Sequence, residues 1–198
     1  MVTQPSRAAI RQRILRGARD LFQANGIRSV TMTDVARQAD CSRQLVYKVF
    51  FDRRELILAA AVERISEIAD EATVAIPARS LEDAFVDRSV RIIEQLRNDP
   101  ELGSLLGEES PVTLHTALWA PELVNRAMQF WRPWLETGRT RGMLRTDLSD
   151  ADLADWLHTV YASIVLRLDI PEERERAMIQ RFVLTSLAMT NTPASETD

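Results

Sequence analysis

The chain has 198 residues, of which 45% are hydrophobic and 27% charged, and a formal net charge of -4. This balance excludes a wholly disordered chain and allows one or two globular domains with a buried core. Six Gly and eight Pro are few for this length, and stretches rich in Leu, Ala, Arg and Glu favour an all-α protein. The single cysteine, Cys41, excludes an internal disulfide and a thiolate metal cluster.

The charge is unevenly distributed along the chain. Residues 1–55 contain eleven Arg or Lys and five Asp or Glu, whereas residues 56–198 contain fourteen and twenty-four. A basic N-terminal part fits nucleic-acid binding because phosphates attract cations, and it fits an ordinary solvated surface equally well. No apolar run approaches the ~18 residues of a membrane span, and arginines interrupt the N-terminus where a secretory leader would be apolar. We therefore expect a cytoplasmic protein without a membrane partner.

The first predicted helix contains apolar residues at helical spacing from Ile10 to Phe22, and Asn25-Gly26 is its stop signal. Thr31-Met32-Thr33-Asp34 matches a capping box, which predicts a short second helix to about Ala39. Residues 1–6 and 190–198 lack apolar periodicity and are expected to be loose tails.

Ser42 is the expected N-cap of a third, short helix, and Asp52 that of a long helix reaching about Ala75. Further helix starts are expected at Ser80, Asp99, Pro111, Pro121, Ser149 and Pro171. The helices from Ser149 and Pro171 are expected to reach about Leu168 and Met189. Pro133 lies inside a predicted helix, where proline predicts a kink or a break.

The two short helices joined by Asp40-Cys41-Ser42 are typical of a helix-turn-helix, whose second helix enters the major groove of DNA. Helical geometry places Val46 and Phe50 on one face of this second helix and a mixed polar face opposite. Amide, cationic and small apolar side chains suit base edges in the groove. The candidates for base reading are Arg43, Gln44, Leu45 and Lys48.

Four other residues are candidates for phosphate contacts. Thr31, Ser42 and Arg53 lie at helix N-termini, where backbone N–H groups and the helix dipole favour anions, and Tyr47 lies at the edge of the reading face. The hydroxyls of Thr31 and Ser42 also serve as helix caps. Both roles are compatible because a phosphate meets the N–H groups that the cap leaves free.

Residues 31–56 resemble the DNA-binding signature of the tetracycline-repressor-like (TetR) family of transcription regulators. The resemblance covers residues 10–60 and rests on the capping Thr31 with Asp34, the turn into Ser42, and the Phe50 and Glu55-Leu56 positions. The departures from the family pattern are Asp40 for Gly, Cys41 for Val, Val49 for His and Arg53 for Lys. Asp40 makes a left-handed turn more costly than Gly does, and Val49 removes a phosphate-contacting His.

The resemblance implies a three-helix DNA-binding domain over residues 1–55, a helical ligand-binding and dimerisation domain over residues 56–190, and a tail over residues 191–198. Aromatic residues in this second domain form either plain core or the wall of a pocket for an apolar or aromatic effector. The candidate pocket residues are Phe85, Arg88, His115, Trp119, Trp131 and Trp134.

Two apolar stripes near the C-terminus fit either a monomer core or a four-helix dimer interface, and the wide stripes favour the homodimer. The candidate interface residues are Leu157, Val160, Ile164 and Phe182. His115 and His158 lack a second metal ligand at helical spacing, and no nucleophile or phosphate-loop motif is present. We therefore expect neither enzyme activity nor a metal or cofactor.

The sequence thus favours a dimeric, ligand-responsive repressor that binds double-stranded DNA at a near-palindromic site and is released by a small effector. The alternative is a DNA-associated adaptor whose C-terminal body recruits a protein without sensing a small molecule.

Overall fold

A computed structural model describes residues 6–72 and 80–188. These residues form α-helices, one π-helical segment and an isolated bridge between Leu144 and Ala188, without a strand, so the all-α prediction is confirmed. The helices are α1 (Arg7–Asn25), α2 (Met32–Gln38), α3 (Arg43–Val49), α4 (Arg53–Ala72), α5 (Leu81–Asn98), α6 (Pro100–Leu106), α7 (Leu114–Leu118), α8 (Pro121–Thr140), α9 (Asp150–Val165), α10 (Glu172–Met178) and, after the π segment Ile179–Val183, α11 (Leu184–Leu187). Within the described ranges, none of these helices is both long and apolar enough to cross a bilayer.

Side-chain caps determine most helix starts, as the sequence predicts. Thr31 and Asp34 form the expected capping box at α2, and Ser149 and Asp152 form another at α9. The Ser42 hydroxyl accepts a hydrogen bond from the backbone N–H of Leu45 at 3.1 Å. Each of these bonds satisfies a backbone donor that the first helical turn leaves without an intrahelical partner.

Two expectations about helix limits are wrong. The predicted start at Pro111 lies before α7, because the Thr113 hydroxyl caps the N–H of Thr116 and the helix begins after it. Helix α9 ends at Val165 rather than at Leu168. Of the kink or break expected at Pro133, the break is absent because α8 continues through this residue, and the kink stays a prediction. Ser6, expected in the N-terminal tail, caps α1 instead. The expected last turn of α4 at residues 73–75, residues 1–5, Met189 and the tail at residues 190–198 lie outside the described residues.

The described chain divides into two compact units. Unit 1 contains residues 6–68 and 96–120, and unit 2 contains residues 69–72, 80–95 and 121–188. Helices α6 and α7 therefore belong to the same unit as the three N-terminal helices, although they follow residue 56 in the sequence.

The core of unit 1 joins α1, α2 and α3 to the first turns of α4. Ile14, Phe22, Val46, Phe50 and Leu56 are each at most 1% exposed. Full burial of such side chains contributes ~1.5–3 kcal/mol each. The apolar face that the sequence assigns to α3 is thus the face that anchors this short helix.

In unit 2, α8 packs on α9. Side-chain packing and hydrogen bonds hold the connection between the two helices. Gly138 leaves room for Leu144, since a Cβ at Gly138 would lie 2.8 Å from Leu144 Cγ. The N–H of Arg145 donates to the carbonyl of Leu187 at 2.9 Å, and the guanidinium of Arg139 donates to Leu148 O at 2.6 Å and pairs with Asp150 at 2.9 Å. These bonds tie the α8–α9 connection to the end of α11.

The C-terminal helical segment buries residues at a constant spacing of four: Glu175, Ile179, Val183 and Leu187, all at most 5% exposed. Residues spaced by four in an α-helix drift by about 40° per step, because a turn takes 3.6 residues. A π-helical turn has more residues per turn and reverses this drift. The π segment therefore keeps all four residues directed to the core.

Candidate nucleic-acid interface

The connection between α2 and α3 is a tight turn with one left-handed residue. Asp40 has φ = 46°, a conformation that costs most residues but that Asp tolerates because its short polar side chain bonds locally. The N–H of Cys41 donates to Ala36 O at 2.9 Å, and that of Asp40 donates to Arg37 O at 3.2 Å. The departure from glycine at this position therefore leaves the turn intact.

Helix α3 is anchored on one side and exposed on the other. Val46 and Phe50 are 0% exposed, and the Arg11 guanidinium of α1 lies 5.0 Å from the Phe50 ring centroid. The predicted base-reading residues Arg43, Gln44 and Lys48 are exposed, and Leu45 is half-buried. The exposed face thus presents amide and cationic groups whose donors and acceptors match base edges.

Arg43 and Tyr47 support each other on this face. The Arg43 guanidinium carbon lies 5.4 Å from the centroid of the Tyr47 ring, and its Nη2 is 3.5 Å from the Tyr47 hydroxyl oxygen. A cation over an aromatic face is worth ~0.5–1 kcal/mol at an exposed site. The pair restricts two long side chains beside the position where a phosphate would lie.

The other phosphate candidates occupy helix starts. Thr31 is exposed, and its hydroxyl donates to Asp34 Oδ2 at 2.6 Å. That hydrogen bond is the main reason why the pKa of Asp34 lies below its ordinary value. Arg53 donates through Nε to Val30 O at 3.1 Å, while its Nη2 is buried without a hydrogen-bond partner among the described residues.

An ion-pair network that no sequence pattern indicates lies elsewhere in unit 1. Arg19 of α1 pairs with Glu63 and Glu67 of α4 at 3.0 and 2.5 Å and with Glu101 of α6 at 2.6 Å. Arg64 of α4 pairs with Asp99 at 2.7 Å. Hydrogen bonding to Glu67 raises the pKa of Arg19, and hydrogen bonding to Arg19 lowers the pKa of Glu67. Arg19 and its three partners are 44 to 82 residues apart along the chain.

Three of the candidate pocket residues meet in unit 2. The Phe85 ring lies 4.5 Å from that of Trp134 and 5.2 Å from that of Trp131, centroid to centroid. Tyr161, which sequence reasoning did not select, stacks on Trp131 at 5.2 Å. Its hydroxyl donates to Ser89 Oγ at 2.5 Å, and burial raises its pKa.

The remaining pocket candidates are distributed over both units. Arg88 of α5 is half-buried in unit 2, and burial lowers its pKa. His115 and Trp119 are exposed residues of unit 1, in and after α7. Phe85, Trp131 and Trp134 form one set of side-chain contacts. The role of all six residues stays a prediction.

The candidate interface residues differ in exposure. Phe182 is 70% exposed, whereas Leu157 and Ile164 are 0% and 6% exposed and pack inside unit 2. Val160 is half-buried. Trp156, one turn before Val160, is 46% exposed, and its Nε1 donates to Ser186 Oγ of α11 at 3.1 Å. Exposed aromatic surface is therefore present on α9 and on the C-terminal segment.

A short, anchored α3 with an exposed polar face, following a capped α2 in an all-α chain, defines a helix-turn-helix DNA-binding regulator. Residues 14–60 match the sequence profile of "Bacterial regulatory proteins, tetR family". The chain therefore contains the DNA-binding domain of the TetR family of transcriptional regulators.

Two relatives support this assignment. The chain is 30% identical over 105 residues to the HTH-type transcriptional regulator AlkX of Mycobacterium tuberculosis, over 52% of this chain and 50% of AlkX. It is 28% identical over 166 residues to the HTH-type transcriptional repressor AcnR of Corynebacterium efficiens, over 80% and 81% of the two chains. The chain thus spans about half the length of AlkX and most of AcnR.

Solved structures share the fold. The transcriptional repressor QsdR of R. erythropolis has a TM-score of 0.69 and 17% identity, covering 94% of this chain and 98% of QsdR. RolR, solved in complex with resorcinol, has a TM-score of 0.60 and 18% identity, covering 93% of this chain and 90% of RolR. The helical body after the DNA-binding helices therefore has the fold of other TetR-family chains.

Proposed function

We propose that this protein is a ligand-responsive repressor that binds a near-palindromic DNA site as a homodimer. The observation that carries the proposal is the exposed polar face of α3, which a fully buried Val46 and Phe50 hold in place. A rigid helix with cations and an amide on its free side suits the major groove. The relative AcnR is a repressor, which supports repression over activation. DNA contact is assigned to residues 1–55, with sensing and dimerisation in residues 56–190.

Arg43, Gln44, Leu45 and Lys48 are proposed to read bases, and Thr31, Ser42, Tyr47 and Arg53 to contact phosphates. Gln bonds adenine and Lys bonds guanine in the major groove, whereas phosphate contacts fix position without carrying sequence information. Arg53 fits its role because the bond from Nε to Val30 O orients the guanidinium at the start of α4. Substitutions in the two groups of residues are therefore expected to have different effects on DNA binding.

Lys48→Ala and Gln44→Ala are expected to relax selection at one or two base pairs, because each lost base contact removes ~1–3 kcal/mol of discrimination. Tyr47→Phe is expected to weaken binding to all duplexes about fivefold, through the loss of one hydrogen bond of ~1 kcal/mol. Selection of sites from a random duplex library, repeated with each variant, measures both effects.

The matched control is Arg174→Met, which removes an exposed cation of α10 outside the DNA-binding helices. It is expected to leave site selection and affinity as in the wild type. Identical selected sites for Lys48→Ala, Gln44→Ala and the wild type would contradict the base-reading assignment.

The dimer is proposed to form through α9 and the C-terminal helical segment. Exposed Phe182 and Trp156, with the half-buried Val160, provide the apolar surface, and the buried Leu157 and Ile164 support it from inside the unit. Two helices from each chain then make a four-helix interface with twofold symmetry.

The effector is proposed to be a small apolar or aromatic molecule that binds in the C-terminal body. RolR with resorcinol is a fold relative that holds an aromatic ligand, and Phe85, Trp131 and Trp134 supply aromatic surface here. Arg88 would orient an anionic group, since its half-buried guanidinium is costly to desolvate without one. His115 and Trp119 are the further candidates from α7.

A panel of phenols, aromatic carboxylates and medium-chain fatty acids is expected to include a compound that quenches Trp fluorescence and weakens DNA binding ~5- to 150-fold, the usual range of allosteric coupling. Arg88→Met is expected to weaken binding of the carboxylates more than that of the neutral phenols. A panel in which every quencher leaves DNA affinity unchanged would contradict the sensor assignment.

Release of DNA requires that the effector favour one of two spacings of the recognition helices, because a ligand shifts an equilibrium only by its differential affinity. Helix α4 is proposed to carry that change, since it follows α3 directly and continues into the body. We also propose that the protein acts in the cytoplasm, because its proposed partner is DNA.

A further inference from the structure

The phenyl ring of Phe51 is exposed beside the recognition helix. Its side chain is 83% exposed, whereas that of the preceding Phe50 is 0% exposed. Large apolar side chains are normally buried because removal of their surface from water stabilises the fold. Phe51 adds nothing to the core of unit 1, so its exposed ring is available to a partner.

The backbone at Phe51 is fixed by side-chain hydrogen bonds. Its N–H donates to Glu55 Oε2 at 2.6 Å, and the N–H of Glu55 donates to Asp52 Oδ1 at 2.7 Å. The N–H of Phe50 donates to Val46 O at 2.8 Å, which joins the same turn to α3. An ordered turn therefore carries the exposed ring, so the backbone at Phe51 loses little conformational entropy when a partner binds.

Phe51 is continuous with the DNA surface proposed above. It follows Tyr47 and Lys48 of α3 and precedes Arg53 and Arg54 of α4, and among these the side chains of Tyr47, Lys48 and Arg54 are exposed. It lies beyond the end of α3 and next to a phosphate candidate, while the base-reading candidates lie in the first six residues of that helix. This position corresponds to the sugar-phosphate backbone rather than to base edges.

We propose that Phe51 packs against deoxyribose in the DNA backbone and is an apolar contact of the interface. The inference rests on the proposed DNA binding and adds a residue that strengthens binding without reading sequence. Such a contact releases no counterions, since it neutralises no phosphate. The salt dependence of DNA binding therefore distinguishes this apolar contact from the cationic contacts nearby.

The test uses the full chain, a duplex selected from a random library by the wild type, and an unrelated duplex of the same length. Phe51→Ala is expected to weaken binding to both duplexes by a similar factor of about ten to a hundred, given the apolar area of two rings per dimer. The slope of log affinity against log salt stays that of the wild type. Phe51→Leu recovers most of the affinity because it restores apolar surface.

Leu168→Ala is the matched control, since Leu168 is 81% exposed and lies in unit 2. It leaves the affinity for both duplexes unchanged. Unchanged affinity in Phe51→Ala, a flatter salt dependence, or a loss confined to the selected duplex would each overturn the deoxyribose contact. A cationic phosphate contact gives the opposite pattern, because its removal flattens the salt dependence. If the wild type bound neither duplex, the proposed function itself would fail, and this inference with it.

Discussion

Replacing Arg19 with Met is expected to destabilise the protein by about 3 kcal/mol at pH 7, because removing one member of a partly buried ion-pair network leaves uncompensated charge. Arg19 is only 16% exposed and pairs with Glu63, Glu67 and Glu101. Without it, these carboxylates repel each other, although Arg64 also pairs with Glu67 at 3.1 Å and with Glu101 at 3.8 Å. Urea unfolding at pH 7 measures the effect.

The same substitution is expected to reverse the pH dependence of stability. In the wild type, the lowered pKa of Glu67 contributes stability that is present above its ordinary value of 4.5 and is lost as the pH falls through the folded value. In Arg19→Met, protonation relieves the repulsion, so stability rises as the pH is lowered from 7 towards 5. Between pH 7 and 5 the lowered pKa of Glu67 leaves the free energy of unfolding of the wild type nearly constant, whereas that of Arg19→Met is expected to rise. Below pH 4.5 the wild type is expected to lose stability.

Arg28→Met is the control for this network. Arg28 also pairs with a glutamate, Glu109, at 3.1 Å, but the two side chains are 74% and 56% exposed. Exposed pairs contribute little because solvent screens them. The control is expected to unfold like the wild type, and equal urea midpoints for Arg19→Met and Arg28→Met would show that the network has no energetic role.

Phe182→Asp is expected to convert the proposed dimer into monomers and to lower affinity for a palindromic duplex at least a hundredfold. Phe182 is 70% exposed, so the substitution leaves the core of unit 2 intact and places a charge where a partner would bury the ring. Two linked recognition helices gain ~10²–10⁴ in affinity over one, and the monomer loses this gain. Sedimentation equilibrium and DNA titration measure the two effects.

Leu168→Asp is the matched control, because it introduces the same charge at a similarly exposed apolar residue between α9 and α10. It is expected to retain the dimer. A Phe182→Asp variant that sediments as a dimer at the wild-type dissociation constant would move the interface away from the C-terminal segment.

Local signals account for most of the fold. Thr31 with Asp34, Ser42, and Ser149 with Asp152 are helix starts that the sequence predicts and the structure confirms. Such caps act within three residues, so they can be found without knowledge of the tertiary structure. The prediction of a helix start at Pro111 is wrong because a competing cap, the hydroxyl of Thr113, lies two residues later.

The site was predictable where it depends on one helix. Helical geometry alone separates Val46 and Phe50 from Gln44 and Lys48. The exposure of Phe51 follows from tertiary packing in a turn where no periodicity distinguishes it from Phe50. Partners such as Arg19 and Glu101, which are 82 residues apart, also come together only in the folded chain.

Because of the π segment Ile179–Val183, the residues that follow it face a different direction from the one they would face in an uninterrupted α-helix. Glu175 before the segment, Ile179 and Val183 within it and Leu187 after it share one buried stripe. In a regular α-helix of the same residues, Leu187 would lie about 120° around the axis from Glu175. Leu187 would then face away from the core, and its carbonyl would no longer accept the hydrogen bond from the N–H of Arg145. The π-helical hydrogen bonding of this segment, as much as its side chains, is therefore what directs Leu187 to the core and its carbonyl to the N–H of Arg145.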